Sequence, residues 1–161
     1  MVSRPKNIGT AAESAVLKQI TPYFRQAKRL VLAGAADRGD IGDTGDFIFE
    51  VKGGHTAERA EPGDIAAWME EARVEARNSR VPFGVLVTKR KAVGHANARK
   101  WWVWLRIEDL AELTGGFYRS GRHVPVRLEL GDFLELIADH GYTDAVGDAA
   151  TTIIEDESRA S

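Results

Sequence analysis

The segment Phe47–Gly53, FIFEVKG, constrains this chain more than any other. Its composition and alternation mark a β-strand, and successive side chains of a strand point to opposite faces. Phe47, Phe49 and Val51 therefore face one way, toward a core. Ile48, Glu50 and Lys52 face the other. A carboxylate and an ammonium thus stand side by side in a strand otherwise built of apolar residues. Burying charge is costly unless it is paired or bound to a metal. The pair is the solvated face of an edge strand, a simple ion pair, or part of a site.

The surrounding pattern places this strand in an α/β domain. Ile8–Phe24 reads as an amphipathic helix carrying Leu17, Ile20 and Phe24, with Pro22 near its end. Leu30–Leu32 reads as a strand, followed by the Asp- and Gly-rich turn stretch AADRGDIGDTGD. After Phe47–Gly53 a polar loop runs to Gly63. Asp64 is the expected N-cap of a second helix that turns Ile65, Met69, Ala72 and Ala76 to one side. Phe83–Thr88 is a strand, Lys89–Lys100 a basic loop, and Trp101–Ile107 another strand. A short helix over Glu108–Leu113, a turn region over Gly115–Arg122, an edge strand in His123–Leu130 and a helix over Asp132–His140 complete the domain. The order α-β-β-β-α-β-β-α predicts a central mixed β-sheet flanked by helices. Residues 1–143 form the expected domain. Residues 144–161 are small, polar and acidic, an expected disordered tail.

The chain has 161 residues, enough to bury a core without staples. It has no cysteine, which excludes a disulfide scaffold, a thiol nucleophile and a thiolate zinc site. No apolar run approaches the roughly 18 residues of a membrane span, and the N-terminus lacks an apolar signal core. A cytoplasmic protein with no membrane partner is expected. The net charge of −2 hides a segregation. Residues 129–161 hold nine acids against one base, so the first 128 residues carry +6. Seven bases and no acid lie between Arg80 and Arg106. A basic body with an acidic tail suits a polyanionic partner such as nucleic acid, although many solvated surfaces share this pattern.

Two further carboxylates bear on the Glu50–Lys52 pair. Asp40 lies ten residues before Glu50, and a short hairpin through Gly42–Gly45 would set it beside Glu50. Asp37, Asp43 and Asp46 compete for the same role, and turn chemistry alone explains an Asp beside Gly. Asp40 is favoured because Ile41 supplies an apolar anchor. Converging carboxylates beside a lysine suit a hard divalent cation. Glu13 shares the helix face of Leu17, Ile20 and Phe24, so it should point along the sheet; Thr10-x-x-Glu13 also reads as a capping box.

The ordered set Glu13, Asp40, Glu50-Val51-Lys52 resembles the PD-(D/E)XK nuclease superfamily. Within it, the chain is most similar to the archaeal-type and phage Holliday junction resolvases. Gly9 to Glu13 matches their Gly-x-x-x-Glu helix, with Arg4 and Lys6 just before it, and Asp40-Ile41 followed by Glu50-x-Lys52 matches their strand pair. The likeness covers roughly residues 4–105. Gly39 stands where the superfamily pattern has proline. The resemblance implies a restriction-endonuclease-like core and a Mg²⁺-dependent DNA endonuclease, with Mn²⁺ able to substitute. Asp40, Glu50 and the main-chain carbonyl of Val51 would hold the metal. Glu13 would reach it directly or through water, and Lys52 would orient the attacking water or stabilise charge on the phosphate. Branched DNA is the implied substrate. A homodimer follows from the two-fold symmetry of a junction. The likeness to phage enzymes leaves room for a phage-encoded protein acting in a bacterial host. Another nuclease of the superfamily, a non-catalytic DNA-binding module of the same fold, and a structural protein whose acids only cap and turn stand as rivals.

The remaining signals are weaker. Lys89, Arg90, Lys91, Arg99 and Lys100 bracket the loop around Gly94 and suit sequence-independent phosphate contacts, or an ordinary solvated loop. Trp102, Trp104 and Arg106 share a strand face opposite Trp101; core packing or a subunit interface competes there with base stacking. The four histidines show no metal-ligand spacing, and no P-loop or nucleophile elbow is present.

Overall fold

A computed structural model describes residues 4–31 and 37–144, with side chains from residue 7 onward. Six strands form one mixed sheet in chain order: β1 (Lys28–Arg29), β2 (Ile41–Thr44), β3 (Phe47–Lys52), β4 (Phe83–Thr88), β5 (Trp102–Arg106) and β6 (Pro125–Glu129). Every neighbouring pair is antiparallel except β3–β4, which is parallel. A parallel pair needs a crossover. Here it is made by α2 (Gly54–Glu58) and α3 (Pro62–Asn78). The other helices are α1 (Arg4–Ile20), α4 (Ile107–Leu113) and α5 (Leu130–Asp139), with a 3₁₀ helix over His95–Lys100.

The alternation expected of Phe47–Lys52 is present, with both faces covered. Phe47, Phe49 and Val51 enter the main core with Ala12, Val16 and Ile20 of α1 and Phe133, Leu134 and Ile137 of α5. Phe47 is its hub. Its ring lies 5.5 Å from Phe83, 5.8 Å from Tyr142, 5.9 Å from Phe133 and 6.1 Å from Phe24. Burial of each such ring contributes about 2–3 kcal/mol. On the other face Ile48 and Leu86 are buried beneath α3, whose Ile65, Ala72 and Ala76 are buried too. Gly84 permits this close seating. A Cβ there would stand 2.1 Å from the Ala72 carbonyl oxygen.

Several boundaries differ from those expected. The first strand pairs at Lys28–Arg29 and not over Leu30–Leu32. Leu30 instead donates its N–H to the Asp40 carbonyl at 2.8 Å, while Leu32–Gly34 lie outside the described residues. The Asp- and Gly-rich stretch holds β2, since Ile41 and Thr44 are buried between its polar residues. The polar loop after Gly53 opens with α2. The N-cap of α3 is Glu61, with Pro62 starting the helix and Asp64 returning its side chain to the Glu61 N–H in a capping box. Asp64 thus sits three residues inside, where an acid also suits the helix dipole. The basic loop contains the 3₁₀ helix. The acidic stretch from residue 145 onward lies outside the described residues.

Among the described residues, no helix is long and apolar enough to cross a membrane.

Candidate functional site

A β-bulge builds the site. Thr44 pairs with Phe47, yet Ile41 pairs with Phe49, so Gly42 and Asp43 together oppose Ile48. Asp43, the second of the two, takes φ 57°, a left-handed conformation. Asp40 lies just before the paired residues of β2, and its carboxyl stands beside that of Glu50, whose charge acts on it directly. Asp40 closes this end of the hairpin. Its N–H reaches the Phe49 carbonyl at 3.1 Å, and its Oδ2 accepts the Val51 N–H at 2.7 Å. By the strand's alternation, Val51 also turns its carbonyl toward Asp40.

Of the four competing aspartates, Asp40 alone meets β3 in this way. Asp37 accepts the Gly39 N–H, Asp43 pairs with Lys28 at 2.7 Å, and Asp46 is exposed at the turn. Gly39 has φ +87°, and a Cβ there would lie 2.3 Å from the Ile48 side chain. Proline, held near φ −65°, cannot occupy that conformation. The departure from the superfamily pattern at this position therefore has a backbone cause.

Glu50 is 7 % exposed and Lys52 half-buried. The Lys52 ammonium bridges Glu50 Oε1 and Glu71 Oε2, each at 2.7 Å, and lies 5.9 Å from the Trp68 ring. Glu75, one helical turn from Glu71, is 4 % exposed and leaves its Oε2 without a hydrogen-bond partner. Asp40, Glu50 and Glu75 thus crowd together, with the Lys52 ammonium bound to Glu50 on the side of Glu71. Burial, then the charge of Glu50, pushes the Asp40 carboxyl up to about 8, against the pull of the Val51 N–H. Burial and the adjacent Glu75 raise Glu50 to about 7, although Lys52 opposes them. Burial raises Glu75 to about 7 as well, with Asp37 and Asp40 adding to it. Burial works against the charge on Lys52, but its bonds to Glu50 and Glu71 outweigh it and raise the ammonium above its ordinary value.

Glu13 takes a different position. It lies at the margin of the buried stripe of α1, which is Ala12, Val16 and Ile20, and not at its centre. Its Oε2 accepts Arg29 Nε at 2.7 Å and pairs with Arg29 Nη2 at 2.5 Å. Glu13 still raises Asp40 through its charge. The expected site residues Asp40, Glu50 and Lys52 are therefore brought together, while Glu13 stands alongside in the grip of Arg29. Among the described residues, no group of three or more histidines and acids is disposed to hold a metal ion. Two carboxylates with a main-chain carbonyl fall below that count. They suit Mg²⁺, which keeps several waters and binds through one or two carboxylates.

The cluster opens beside a cleft of about 510 Å³ bounded by Gly9, Val51, Lys52, Gly53, His55 and Trp68. Gly53 lets α1 close over the end of β3, since a Cβ there would meet that of Ala12 at 2.6 Å. His55 is engaged by Glu58 at 2.8 Å.

The bases expected to hold DNA are dispersed. Lys89 is paired with Glu58, and Arg90 with Glu129 at 2.7 Å. Arg99 faces the α1–α5 side, bonded to Glu135 at 2.7 Å and to the Tyr23 hydroxyl at 3.3 Å. Lys91 and Lys100 are exposed. Arg4 and Lys6 lie in the first turns of α1, and their side chains fall outside the described residues.

Sequence reasoning missed Glu71, Glu75 and Trp68. One signal was available for Glu75: it adjoins Ala72 and Ala76 on the apolar stripe of α3, where an acid is out of place. Comparison of the chain with protein-family models, with curated proteins and with solved structures finds no match.

Proposed function

We propose that this protein is a Mg²⁺-dependent, structure-selective DNA endonuclease with a restriction-endonuclease-like core, of the Holliday junction resolvase type. One observation carries the reading. A bulged hairpin turns Asp40 onto the face of Glu50 and Lys52 and ties it to the Val51 main chain at 2.7 Å. The donors fit the cation. They are all oxygens, and the carboxyls of Asp40 and Glu50 repel one another. When bound, Mg²⁺ would lower the pKa of water and offset charge on the phosphate. Asp40, Glu50 and the Val51 carbonyl would hold it, and Glu13 would reach it through water.

The chain's own groups do the rest. Lys52 projects into the cleft end of the cluster and stabilises negative charge developing on the phosphate. Glu71, half-exposed, occupies Lys52 in the free protein and yields its place to the substrate phosphate. Glu75 stays behind Glu50 and fixes its orientation. Trp68 walls the cleft beside the ammonium.

The test is cleavage of a four-way junction beside a linear duplex of the same sequence, with and without Mg²⁺. Mg²⁺-dependent cutting of the junction alone supports the whole reading, together with the two-fold dimer it implies. Cutting of both substrates keeps the nuclease and removes junction selectivity. Binding without cutting in any metal would leave a non-catalytic DNA-binding module.

A further inference from the structure

The sheet carries a second feature that the proposed chemistry does not use. Beyond the edge of α3, the same face of β4, β5 and β6 borders a groove of about 310 Å³. Trp102 and Trp104 form its floor, both half-buried, and Trp104 is fixed by donating Nε1–H to Thr88 Oγ1 at 3.0 Å. Guanidinium groups pack on these rings. Arg90 and Arg127 each lie 4.1 Å from the Trp102 centroid, and Arg127 lies 5.5 Å from that of Trp104. The arrangement follows from register, because Arg127 sits directly opposite Trp104.

Stacking on an aromatic ring holds a guanidinium flat and leaves its in-plane N–H donors free. Arg90 spends its Nη1 on Glu129 at 2.7 Å and on the Lys100 carbonyl at 3.4 Å. Arg127 spends none. Among the described residues it has no hydrogen bond and no ion pair, and it is exposed. The groove lining holds four bases, Lys89, Arg90, Lys91 and Arg127, against one acid, Glu58, which is already bound to Lys89. A rigid aromatic floor carrying a preorganised, unspent guanidinium in a cationic groove is chemistry for a phosphate with a planar ring beside it.

Placement adds to this. Lys52 pairs with Thr88, and Thr88 with Trp102, so the groove begins one strand away from the Lys52 ammonium. Arg127 stands three strands from Lys52, roughly 14 Å at the usual spacing. A strand of nucleic acid held at Lys52 can run across the sheet onto Trp102 and Arg127. The volume admits a nucleotide and is too small for a duplex.

We infer that this groove binds an unpaired segment of the DNA substrate, its phosphate on Arg127 and its base laid over the outer face of the guanidinium that Trp102 and Trp104 carry. The inference rests on the endonuclease reading for its substrate. It narrows that substrate to DNA with single-stranded nucleotides next to the scissile bond, as at a flap or an opened junction.

The test is metal-free binding of a fluorescein-labelled oligothymidylate of about twelve nucleotides and of a blunt duplex, across a salt series. Arg127→Gln is expected to weaken oligothymidylate binding about tenfold and duplex binding less than about twofold. Arg119→Gln removes the same charge from an exposed position stacked on Phe117, away from the groove, and should weaken both ligands alike and weakly. Trp102→Leu should act as Arg127→Gln does; if it fails to fold, the Arg127 and Arg119 variants decide. Equal effects of Arg127→Gln and Arg119→Gln on oligothymidylate overturn the inference. So does loss of a dimer in Arg127→Gln with unchanged oligothymidylate affinity, which would give the groove to a second copy of the chain. The two readings fail separately. Mg²⁺-dependent cleavage that ignores Arg127 leaves the nuclease and removes the groove. Arg127-dependent binding without cleavage of any substrate leaves the groove and removes the nuclease.

Discussion

Gly84→Ala isolates the contact that seats α3, and with it Glu71 and Glu75, over the sheet. The added Cβ would stand 2.1 Å from the Ala72 carbonyl oxygen, 2.5 Å from its carbonyl carbon and 2.9 Å from the Arg73 nitrogen. Real Cβ atoms essentially never approach closer than 3.0 Å. The obstacle is helix backbone and not the end of a side chain, so α3 must retreat by about 1 Å. That retreat loosens Ile65, Ala72 and Ala76 from Ile48 and Leu86, all of them buried. Overpacking of this kind costs about 1–3 kcal/mol. The better strand propensity of Ala over Gly recovers less than about 1 kcal/mol. A net loss of about 2 kcal/mol lowers the melting temperature by roughly 4–8 °C in a domain of this size. Glu71 flanks the clash and Glu75 lies one turn on, so both carboxylates move relative to Lys52 and Glu50. A misplacement near 1 Å can cost about 10²-fold in rate, so cleavage should fall by about that factor in protein that is still folded. Gly63→Ala, on the same helix, supplies the control. Nothing lies within 4 Å of its Cβ position, and it should stabilise the protein by about 0.4–1 kcal/mol and leave cleavage unchanged. Denaturant unfolding and single-turnover cleavage of both variants provide the assay. A Gly84→Ala protein as stable and active as the parent would refute the close seating and its link to the site.

Asp40→Asn and Glu50→Gln should each abolish cleavage, and Asp40→Asn should raise the melting temperature of the metal-free protein above about pH 8, where it removes a buried charge that stands among like charges; full cleavage in either variant would take that residue out of the site. The folded carboxyls of Asp40, at about 8, and of Glu50 and Glu75, at about 7, lie above the unfolded range near 4. The folded state therefore binds protons that the unfolded state has released, and metal-free stability should fall as pH rises from about 4 to about 8 and then level off. Mg²⁺ should reverse this trend and release protons near pH 7, and calorimetry in buffers of differing ionisation enthalpy measures that release. Lys52→Ala should cut turnover by orders of magnitude, and Lys52→Arg should restore little of it, since a broad guanidinium cannot take the place of a compact ammonium between Glu50 and Glu71; full activity in Lys52→Arg would mean that charge alone suffices.

Local sequence was enough for some features. Strict alternation in Phe47–Lys52 made β3 and its two faces readable, because the period of a strand does not depend on its neighbours. The same alternation put Glu50 beside Lys52 and opposed Trp101 to Trp102 and Trp104. The mixed sheet with flanking helices followed from the order of elements, and Ile41 singled out Asp40 among four aspartates. Other features had no local signal. Where the Asp40 carboxyl comes to rest depends on the bulged pairing of β2 with β3 and on its bond to the Val51 N–H, and neither leaves a local trace in the sequence. The expected phosphate-gripping loop held five bases in sequence, yet three found acids far along the chain: Glu58 for Lys89, Glu129 for Arg90 and Glu135 for Arg99. Glu13 came to rest at the margin of its helix's buried stripe, held by Arg29 of the edge strand β1. Charged side chains are long and pair with whatever the fold brings near, so their partners are set by packing and not by spacing along the chain. The strand periodicity, the order of elements and the Glu50–Lys52 pair were written in the sequence, while Glu71 and Glu75 were not read from it. Which of those carboxylates meet, and which bases stay free to meet a ligand, was decided only when the bulge, the crossover helix and the register of β5 and β6 brought distant residues together.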